Sequence, residues 1–426
     1  MAKRLLILGG TQISCEIVRA AKKMNIHTIV ADYNDLSKSP AKRIADEHYL
    51  IDVTNVKAVI NFFMYKRIDG VMVGFSDMLL PYYADICEGL GVPSYGTREQ
   101  FILFSHKDKY KELLKRFDIP TIDEYNIDSV EDIEKSNIIY PVIVKPSSGS
   151  GARGIKICHD SGELKQIYFE SDLDDCLIIE RYIDEKEVTV FFAFLDGEYY
   201  ITGIGNRHVK HNQEGVIPLP TGYTYPAKVT QKYIVDIEPK VQKMLKSVDI
   251  KNGMMFMQCK VVEGTCYVYD IGYRLTGSLE YKNFEAVCGF NPMKMMINFA
   301  LTGKMEKDSE RRKIDPFFKK YTFNISFLIR PGKIGRYEGL EELKKKRGFI
   351  DYVIEHYPGE EITEKMRGLL AQISLRVFGE AESIDDLWST ISEMQRCVKI
   401  YSENGDNMIL PGMDFGDMED VYRIDE

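Results

Sequence analysis

The N-terminal part of the chain alternates strand-like runs with helical patterns. A continuous apolar run, RLLILG, ends in two glycines and suits a strand buried on both faces, and a helical pattern follows at residues 13–24. Strand-like runs are found at residues 4–9, 27–32, 47–52 and 70–75. Strands that alternate with helices predict a parallel sheet covered on both faces. We therefore predict a Rossmann-like domain over residues 1–104.

The pattern changes beyond residue 104, where a charged amphipathic helix is predicted at residues 105–118. The strands predicted after it cover residues 141–146, 177–183, 187–204, 254–262 and 266–272. The last two strands are separated only by a turn containing Glu263–Gly264, which predicts a hairpin. A charged segment at residues 302–315 predicts a second domain boundary, so we expect a central domain over 105–305 and a C-terminal α+β domain over 306–426.

Length, composition and charge narrow the class of protein. A chain of 426 residues is too long for one core and suggests two to three domains. The net charge of −9 argues against a nucleic-acid-binding protein. The eight cysteines are scattered without a CxxC pair, which indicates reduced thiols, and no apolar run approaches the ~20 residues of a membrane span. With a strand following the N-terminus directly, these features predict a soluble cytoplasmic protein that does not bind nucleic acid or membranes.

The first strand ends in a glycine turn, GGTQIS, which raises the question of a dinucleotide site. The turn lacks the third glycine of GxGxxG, although Asp32 ends the second strand where a ribose-binding acid would lie. A plain strand-to-helix turn explains the glycines more simply. An NAD-linked oxidoreductase therefore remains only a minor alternative.

A second glycine-rich segment, VKPSSGSGARGI, occupies residues 144–155 between two predicted strands. Its backbone N–H groups could surround phosphate oxygens, while Lys145 and Arg153 supply cations. An exposed hairpin turn of the same composition is an equally good explanation at this point.

Two acidic residues follow, Glu180 at the end of an apolar strand and Glu187 after it. In a nucleotide pocket the backbone of residues 181–183 could bind the base edge and a carboxylate could accept the ribose hydroxyls, whereas the alternative for either glutamate is a salt bridge. Gln258 and Asp270 lie on the two strands of the predicted hairpin, and such a carboxylate–amide pair suits Mg²⁺. Asp270 in an apolar strand needs a cationic partner, for which Arg274 is a candidate.

The order of these motifs resembles the ATP-grasp superfamily over nearly the whole chain. The resemblance implies an α/β fold, α+β in the central domain, with a Rossmann-like N-terminal domain, an ATP-grasp domain with a mobile lid at about residues 120–185, and a smaller C-terminal α+β domain. It implies Mg²⁺ and ATP as cofactors and phosphate contacts from two lysines, Lys107 and Lys145. The nucleotide-binding residues that it implies are Ser147, Ser148, Gly149, Ser150, Gly151 and Gly154 in the flap, Glu180, Arg181, Tyr182 and Ile183 in the hinge, and Glu187 at the ribose.

The segment DIGYR at residues 270–274 aligns with the family motif of an acidic residue followed by Asn-Pro-Arg. The resemblance implies Asp270 and Gln258 as metal ligands and Arg274 as a catalytic and substrate-contacting residue. Gln258 replaces the usual first metal acid, as in carbamoyl phosphate synthetase, and Gly272 replaces the asparagine. One magnesium site is therefore expected to be weaker than usual, unless another group such as Glu280 completes it.

The acceptor site is expected in two segments. The stretch GNRHVKHN at 205–212 clusters Arg207, His208, Lys210 and His211, which could hold an anionic substrate or form a solvated basic loop. The stretch after Arg274 carries Ser278 and Glu280, where the family contacts its substrate. Asp77, just past a strand end, is explained by either a ligand contact or a helix N-cap.

The resemblance implies an ATP- and Mg-dependent carbon–nitrogen ligase that activates a carboxylate as an acyl phosphate for attack by an amine. Among relatives, amino-acid ligases and enzymes like phosphoribosylglycinamide synthetase fit better than biotin carboxylase, because no biotinyl-acceptor domain is evident. Small-molecule carboxylate and amine partners are expected, with a possible homodimer. The alternative is a degenerate ATP-grasp protein that binds nucleotide without turnover, for which Gln258 and Gly272 argue.

Overall fold

The computed structural model describes residues 2–127, 129–146, 154–170, 177–212, 217–305 and 308–422. These residues form mixed α/β structure with sheets of four, eight, three and four strands. The seven cysteines in this part of the chain are free. Within the same residues, no helix has both the length and the apolar composition needed to cross a membrane.

The N-terminal part is a four-stranded parallel sheet with strand order β3-β2-β1-β4. Its elements are β1 (Arg4–Leu8), α1 (Cys15–Lys23), β2 (His27–Asp32), α2 (Pro40–Ile44), β3 (Glu47–Leu50), α3 (Val56–Lys66), β4 (Gly70–Met72), α4 (Leu80–Leu90) and α5 (Arg98–Ser105). Leu5, Leu6 and Ile7 are fully buried because the central strand is covered on both faces, which confirms the predicted parallel arrangement.

A smaller four-stranded antiparallel sheet, order β5-β8-β6-β7, follows in the chain. Its segment contains α6 (Lys107–Arg116), β5 (Glu124–Tyr125), α7 (Val130–Lys135), β6 (Val142–Pro146), β7 (Lys156–Cys158), α8 (Ser161–Glu170) and β8 (Leu177–Arg181). The sheet has a core of its own, formed by Ile133, Val142, Val144, Leu164 and Ile179 among others. A separate core lets this subdomain pack as a unit against the rest of the molecule.

The next elements build most of an eight-stranded sheet. They are β9 (Glu187–Leu195), β10 (Glu198–Lys210), β11 (Leu219–Tyr225), α9 (Thr230–Asp236), α10 (Glu238–Ser247), β12 (Gly253–Val262), β13 (Thr265–Gly272), α11 (Tyr281–Cys288) and α12 (Pro292–Thr302). The predicted hairpin is confirmed: β12 pairs antiparallel with β13, and Glu263 takes a positive φ of 48° in the turn. Asn291 is the N-cap of helix α12, and its side chain accepts a hydrogen bond from the Lys294 backbone N–H.

The C-terminal elements extend the same sheet and add a small one. They are α13 (Asp308–Arg311), β14 (Tyr321–Leu328), β15 (Gly332–Glu338), α14 (Leu340–Leu343), β16 (Phe349–Ile354), β17 (Glu361–Ile362), β18 (Ile373–Ala381), α15 (Ile384–Cys397), β19 (Lys399–Ser402) and α16 (Phe415–Tyr422). The strand order β13-β12-β9-β10-β11-β14-β18-β16 makes one sheet continuous from the central to the C-terminal segment, so residues from both can face one cavity.

Candidate active site

A cavity of about 270 Å³ is lined by residues of the antiparallel β5-β8-β6-β7 sheet, of the eight-stranded sheet and of the first turn of α6. Strand β18 from the C-terminal segment contributes Arg376 to its lining. The sequence-predicted residues that line the cavity are Lys107, Lys145, Glu180, Arg181, Tyr182, Ile183, Glu187, Arg207, Gln258, Asp270, Arg274 and Ser278. The tertiary structure thus brings together residues from six separate strands and one helix.

Lys145, on β6, and Glu180, on β8, form a buried ion pair at one wall of the cavity. Their atoms Nζ and Oε2 are 2.6 Å apart, and the register of the two strands places Lys145 opposite Ile178, close to Glu180. The other oxygen of Glu180 pairs with Lys111, a residue that was not singled out from the sequence. Burial lowers the pKa of Lys145, opposed by the charge of Glu180 and reinforced by that of Lys111.

The hinge residues after Glu180 are partly used within the fold. The Arg181 backbone N–H donates to the Asp123 carbonyl oxygen at 3.0 Å, and that of Tyr182 to the Pro141 carbonyl oxygen at 2.9 Å. Ile183 follows β8 and lines the cavity with Ile143. The apolar surface that Ile143 and Ile183 form beside the end of β8 can accommodate a flat ring such as a nucleotide base.

Glu187, at the start of β9, is held by two cations and a hydroxyl. It pairs with Arg207 and with Lys260, whose Nζ lies 2.8 Å from Oε1, and the Tyr269 hydroxyl donates to Oε2 at 2.8 Å. Burial alone would raise the pKa of Glu187, but Arg207 and Lys260 hold it below its ordinary value. Arg207 therefore lies beside the predicted ribose acid, and its Nε donates to the Tyr223 hydroxyl at 3.1 Å.

Gln258 and Asp270 face each other across the β12–β13 hairpin, as the sequence predicted. Both line the cavity. Among the described residues, Asp270 forms no ion pair with a lysine or arginine, and the Tyr110 hydroxyl donates to its Oδ1 at 3.4 Å. Burial raises the pKa of Asp270 in spite of the nearby charges of Lys107 and Lys145.

Gly272 stands opposite Phe256 on the hairpin, and the phenylalanine ring occupies the space of a side chain there. A Cβ added at Gly272 would lie 2.3 Å from Cε1 of Phe256. The ring also lies under the guanidinium of Arg274, with 5.1 Å between Cζ and the ring centroid. An aromatic ring thus replaces a polar side chain at this position.

Arg274 pairs with Asp77 and not with Asp270. Its Nε and Nη2 donate to the two carboxylate oxygens of Asp77 at 2.7 Å each, a bidentate ion pair. Asp77 begins a short 3₁₀ helix, Asp77–Leu79, that connects to α4. The two interpretations weighed for Asp77, ligand contact and N-cap, both omitted this pair because it joins residues far apart in the chain.

The basic cluster at residues 207–211 is divided by the alternation of strand β10. The side chain of His208 points away from Arg207 and contacts Thr224 Oγ1 at 2.8 Å. Burial lowers the pKa of His208 to about 4, so the ring is neutral near pH 7. Lys210 pairs with Asp414 and Asp417, does not line the cavity, and ties β10 to the C-terminal helix.

The two predicted substrate residues in the segment after Arg274 lie in different environments. Ser278 lines the cavity, whereas Glu280 is 4% exposed and does not. Glu280 accepts hydrogen bonds from Thr276 and from Ser278 Oγ, the latter at 3.0 Å. Burial raises the pKa of Glu280 despite these hydrogen bonds.

Arg376, on β18, lines the cavity and was missed from the sequence. Its Nη1 donates to Ser326 Oγ at 2.9 Å, and its Nε lies 3.3 Å from Glu355 Oε1. Burial raises the pKa of Glu355, with Arg376 acting in the opposite direction. An arginine inside a strand, SLRVFGE, was the only signal that the sequence offered.

The flap residues Ser147, Ser148, Gly149, Ser150 and Gly151 lie outside the described residues, as does Arg153. Gly154 is described and takes a positive φ of 70°. Its neighbour Ile155 lines the cavity, so the end of the loop reaches the site.

The residues of this cavity fit a nucleotide better than they fit a metal alone. Lys107, Lys145 and Arg274 offer cationic groups, and the wall around Ile143 and Ile183 is apolar. Within the described part of the chain, no group of three or more His, Cys, Asp or Glu residues could hold a metal ion. Gln258 and Asp270 supply two oxygen donors, so Mg²⁺ would need phosphate oxygens and water to complete its shell.

A family model described as the ATP-grasp domain matches residues 138–279. The chain is 23% identical to the 2-oxoglutarate carboxylase small subunit of Hydrogenobacter thermophilus over 96% of this chain and 89% of that one. It is 29% identical to the carbamoyl phosphate synthase large chain of Clostridium botulinum over 66% of this chain, but it spans only 27% of that protein.

Two solved structures are similar over most of the fold. L-amino acid ligase from Bacillus licheniformis has a TM-score of 0.77 at 19% identity, covering 94% of this chain and 98% of that one. The biotin carboxylase domain dimer of the Hydrogenobacter thermophilus 2-oxoglutarate carboxylase, in complex with MgADP, ADP and bicarbonate, has a TM-score of 0.72 at 20% identity, covering 96% and 92%. Residues 138–279 therefore match the ATP-grasp domain that the motifs implied, and the fold is similar to that of these two structures.

Proposed function

We propose that this chain is an ATP- and Mg-dependent carbon–nitrogen ligase, which activates a carboxylate as an acyl phosphate for attack by an amine. The observation that carries the proposal is one cavity lined by Lys107, Lys145, Gln258, Asp270, Arg274 and Arg376, in which the charges of the two lysines act on the Asp270 carboxyl group. Cationic side chains together with the oxygen donors of Gln258 and Asp270 are what a metal-bound triphosphate requires.

The nucleotide is assigned to the end of the cavity between β6 and β8. Arg181 and Tyr182 already use their backbone N–H groups, so a donor to the base edge would come from Ile183. Glu187 carries a lowered pKa and stays ionised, which suits it to accept ribose hydroxyls. The flap residues 147–151 keep their predicted role over the phosphates.

The chain contributes position and charge to the chemistry. Lys107 and Lys145 are placed to stabilise negative charge on the transferring phosphoryl group, and Mg²⁺, when bound at Gln258 and Asp270, supplies further positive charge there. A substrate carboxylate oxygen attacks the γ-phosphorus and ADP leaves. The amine nitrogen then attacks the acyl carbon, loses a proton and displaces phosphate. No side-chain nucleophile takes part.

The acceptor subsite is assigned to Arg274, Ser278 and Arg376. Both guanidinium groups have a carboxylate partner, Asp77 or Glu355, but each has further N–H donors, which with the Ser278 hydroxyl suit an anionic substrate group such as a carboxylate. This arrangement supports an amino-acid or phosphoribosylamine-type substrate pair, in line with the L-amino acid ligase of similar fold. Lys210 and Glu280 are not part of this proposal, because neither lines the cavity.

A homodimer is the assembly we propose, since the similar carboxylase domain forms a dimer.

The second candidate function is a protein that binds nucleotide without ligase turnover. The observation that favours it is the small number of charged metal ligands. Of the two proposed ligands, Gln258 and Asp270, the first is neutral, and the Phe256 ring fills the space that a side chain at Gly272 would need. Both functions share the nucleotide pocket and differ only in whether bound phosphate is transferred.

The experiment is Mg²⁺-dependent ADP formation with a panel of amino-acid pairs, dipeptide precursors and phosphoribosylamine, together with ATP binding by calorimetry. We expect ADP with one carboxylate–amine pair and its loss in Lys145→Ala, since that lysine faces the phosphates. Lys115→Ala, on an exposed side chain of α6, is the matched control. ATP binding without ADP for any pair would favour the second function, and no ATP binding would refute both.

A further inference from the structure

An alternating row of charges leads from the cavity to the surface of α6. Lys145 pairs with Glu180 at 2.6 Å, Glu180 pairs with Lys111, Lys111 pairs with Glu124 at 2.8 Å, and Glu124 pairs with Lys115 at 3.1 Å. The row begins at a residue that lines the cavity and ends at a lysine whose side chain is 56% exposed.

The inner members of this row lie where an unpaired charge is costly. The side chains of Glu180 and Lys111 are each 1% exposed, and that of Lys145 is 5% exposed. Removing one partner of a buried pair leaves the other charge without compensation, so a lone Glu180 would hold any cation within reach. Each of its two oxygens contacts a different lysine.

Lys145 has two competing partners once a nucleotide is bound. It lies in the cavity wall, where phosphate oxygens would attract its ammonium, and it is also paired with Glu180. Lys111 has no such conflict: it does not line the cavity, and its other contact is Glu124 behind Glu180.

We infer that Lys111 is a positioning residue. Its positive charge compensates the Glu180 carboxylate, so that Lys145 can turn its ammonium group to the nucleotide phosphates. This inference rests on the proposed nucleotide site. Helix α6 explains the placement, because Lys107 and Lys111 are one turn apart and point to the same side. One lysine of the helix thus faces the cavity and the next lies behind the glutamate.

The test compares ATP and adenosine binding by calorimetry in the wild type and in Lys111→Met. Without Lys111, Glu180 retains Lys145, and we expect ATP binding to weaken about tenfold while adenosine binding changes less than about twofold. Lys111→Gln, which can still donate a hydrogen bond to Glu180, keeps the test available if the methionine variant does not fold, and we expect the same weakening. Lys115→Met should bind both ligands as the wild type does.

The double variant Lys111→Met/Glu180→Gln separates positioning from a merely structural role. With no carboxylate left to retain Lys145, we expect ATP affinity to recover to within about threefold of that of Glu180→Gln alone. Equal losses of ATP and adenosine affinity in the lysine variants, or no recovery in the double variant, would overturn the inference. A wild type that binds no ATP would instead refute the proposed function, and the inference with it.

Discussion

Two aspartates near strand ends, each close to glycines, have opposite surroundings. Asp32 ends β2, where Oδ2 accepts the Gly10 backbone N–H at 2.7 Å and Oδ1 accepts that of Asn34 at 2.6 Å. Asp270 in β13 accepts a long hydrogen bond from the Tyr110 hydroxyl at 3.4 Å, and it lines the cavity. The sequence made Asp32 a candidate ribose ligand and Asp270 a candidate metal ligand.

The difference separates a carboxylate used by the fold from one that we propose as a metal ligand. The turn at Gly10 is filled: a Cβ added there would lie 1.8 Å from Ser39 Oγ, and Lys42 donates to the Asp32 carbonyl oxygen at 2.7 Å. This packing favours the plain strand-to-helix turn over a dinucleotide site. Asp270 is instead left with a raised pKa and no ion-pair partner among the described residues, which is the condition of a group that awaits a cation.

The largest effect that sharpens this comparison is expected for Asp270→Asn. The substitution removes the one charged oxygen among the two proposed metal ligands, Gln258 and Asp270. We therefore expect ADP formation to fall by about 10²–10³-fold in an assay with the cognate substrates. Circular dichroism should show an intact fold. Unimpaired turnover would mean that Asp270 does not hold the metal.

The next effect concerns the structural aspartate. Asp32→Ala leaves the backbone N–H groups of Gly10 and Asn34 without their acceptor, so we expect a loss of about 1–3 kcal/mol in the free energy of unfolding, measured with urea. ATP affinity should stay the same. Asp35→Ala is the control: this carboxylate also accepts backbone N–H groups, of Ser37 and Lys38, but these are exposed and can bond to water instead, so stability should change less. A specific loss of nucleotide binding in Asp32→Ala would break the comparison.

A smaller effect is expected when a charged ligand is added to the proposed metal site. Gln258→Glu adds a second carboxylate opposite Asp270, and more ligand charge should tighten Mn²⁺ binding to the nucleotide-bound protein by about tenfold, measured by electron paramagnetic resonance. The same substitution in the Asp270→Asn background restores only one carboxylate and should give about wild-type affinity. No change in either variant would place the metal elsewhere.

The smallest effect is a pH dependence of stability in the absence of ligands. Because burial raises the pKa of Asp270 in the folded state, the folded protein holds this proton more tightly than the unfolded chain, and the stability it contributes falls as pH rises through the interval between the two pKa values. Asp270→Asn should therefore gain stability relative to the wild type near neutral pH and lose that gain below the unfolded pKa. A pH-independent difference in urea midpoints would contradict this assignment.

Much of the fold could be predicted from the sequence because its signals are local. Apolar runs identified β1, β2 and the β12–β13 hairpin, and the hairpin placed Gln258 opposite Asp270. The charged partners could not be predicted in the same way. Arg274 and Asp77 are 197 residues apart in the chain, and their pairing depends on how the N-terminal sheet packs against the central strands.

The sequence by itself determined the ATP-grasp match over residues 138–279, the order of the motifs and the residue types available for chemistry, because strand and turn patterns depend on neighbouring residues. Only the tertiary structure decided which charges are compensated. It buried Lys111 behind Glu180, engaged Glu187 with Arg207 and Lys260, and left Asp270 facing the cavity. The physical reason is that the free energy of a charge depends on the partners and the solvent around it, and both are set by contacts between distant parts of the chain.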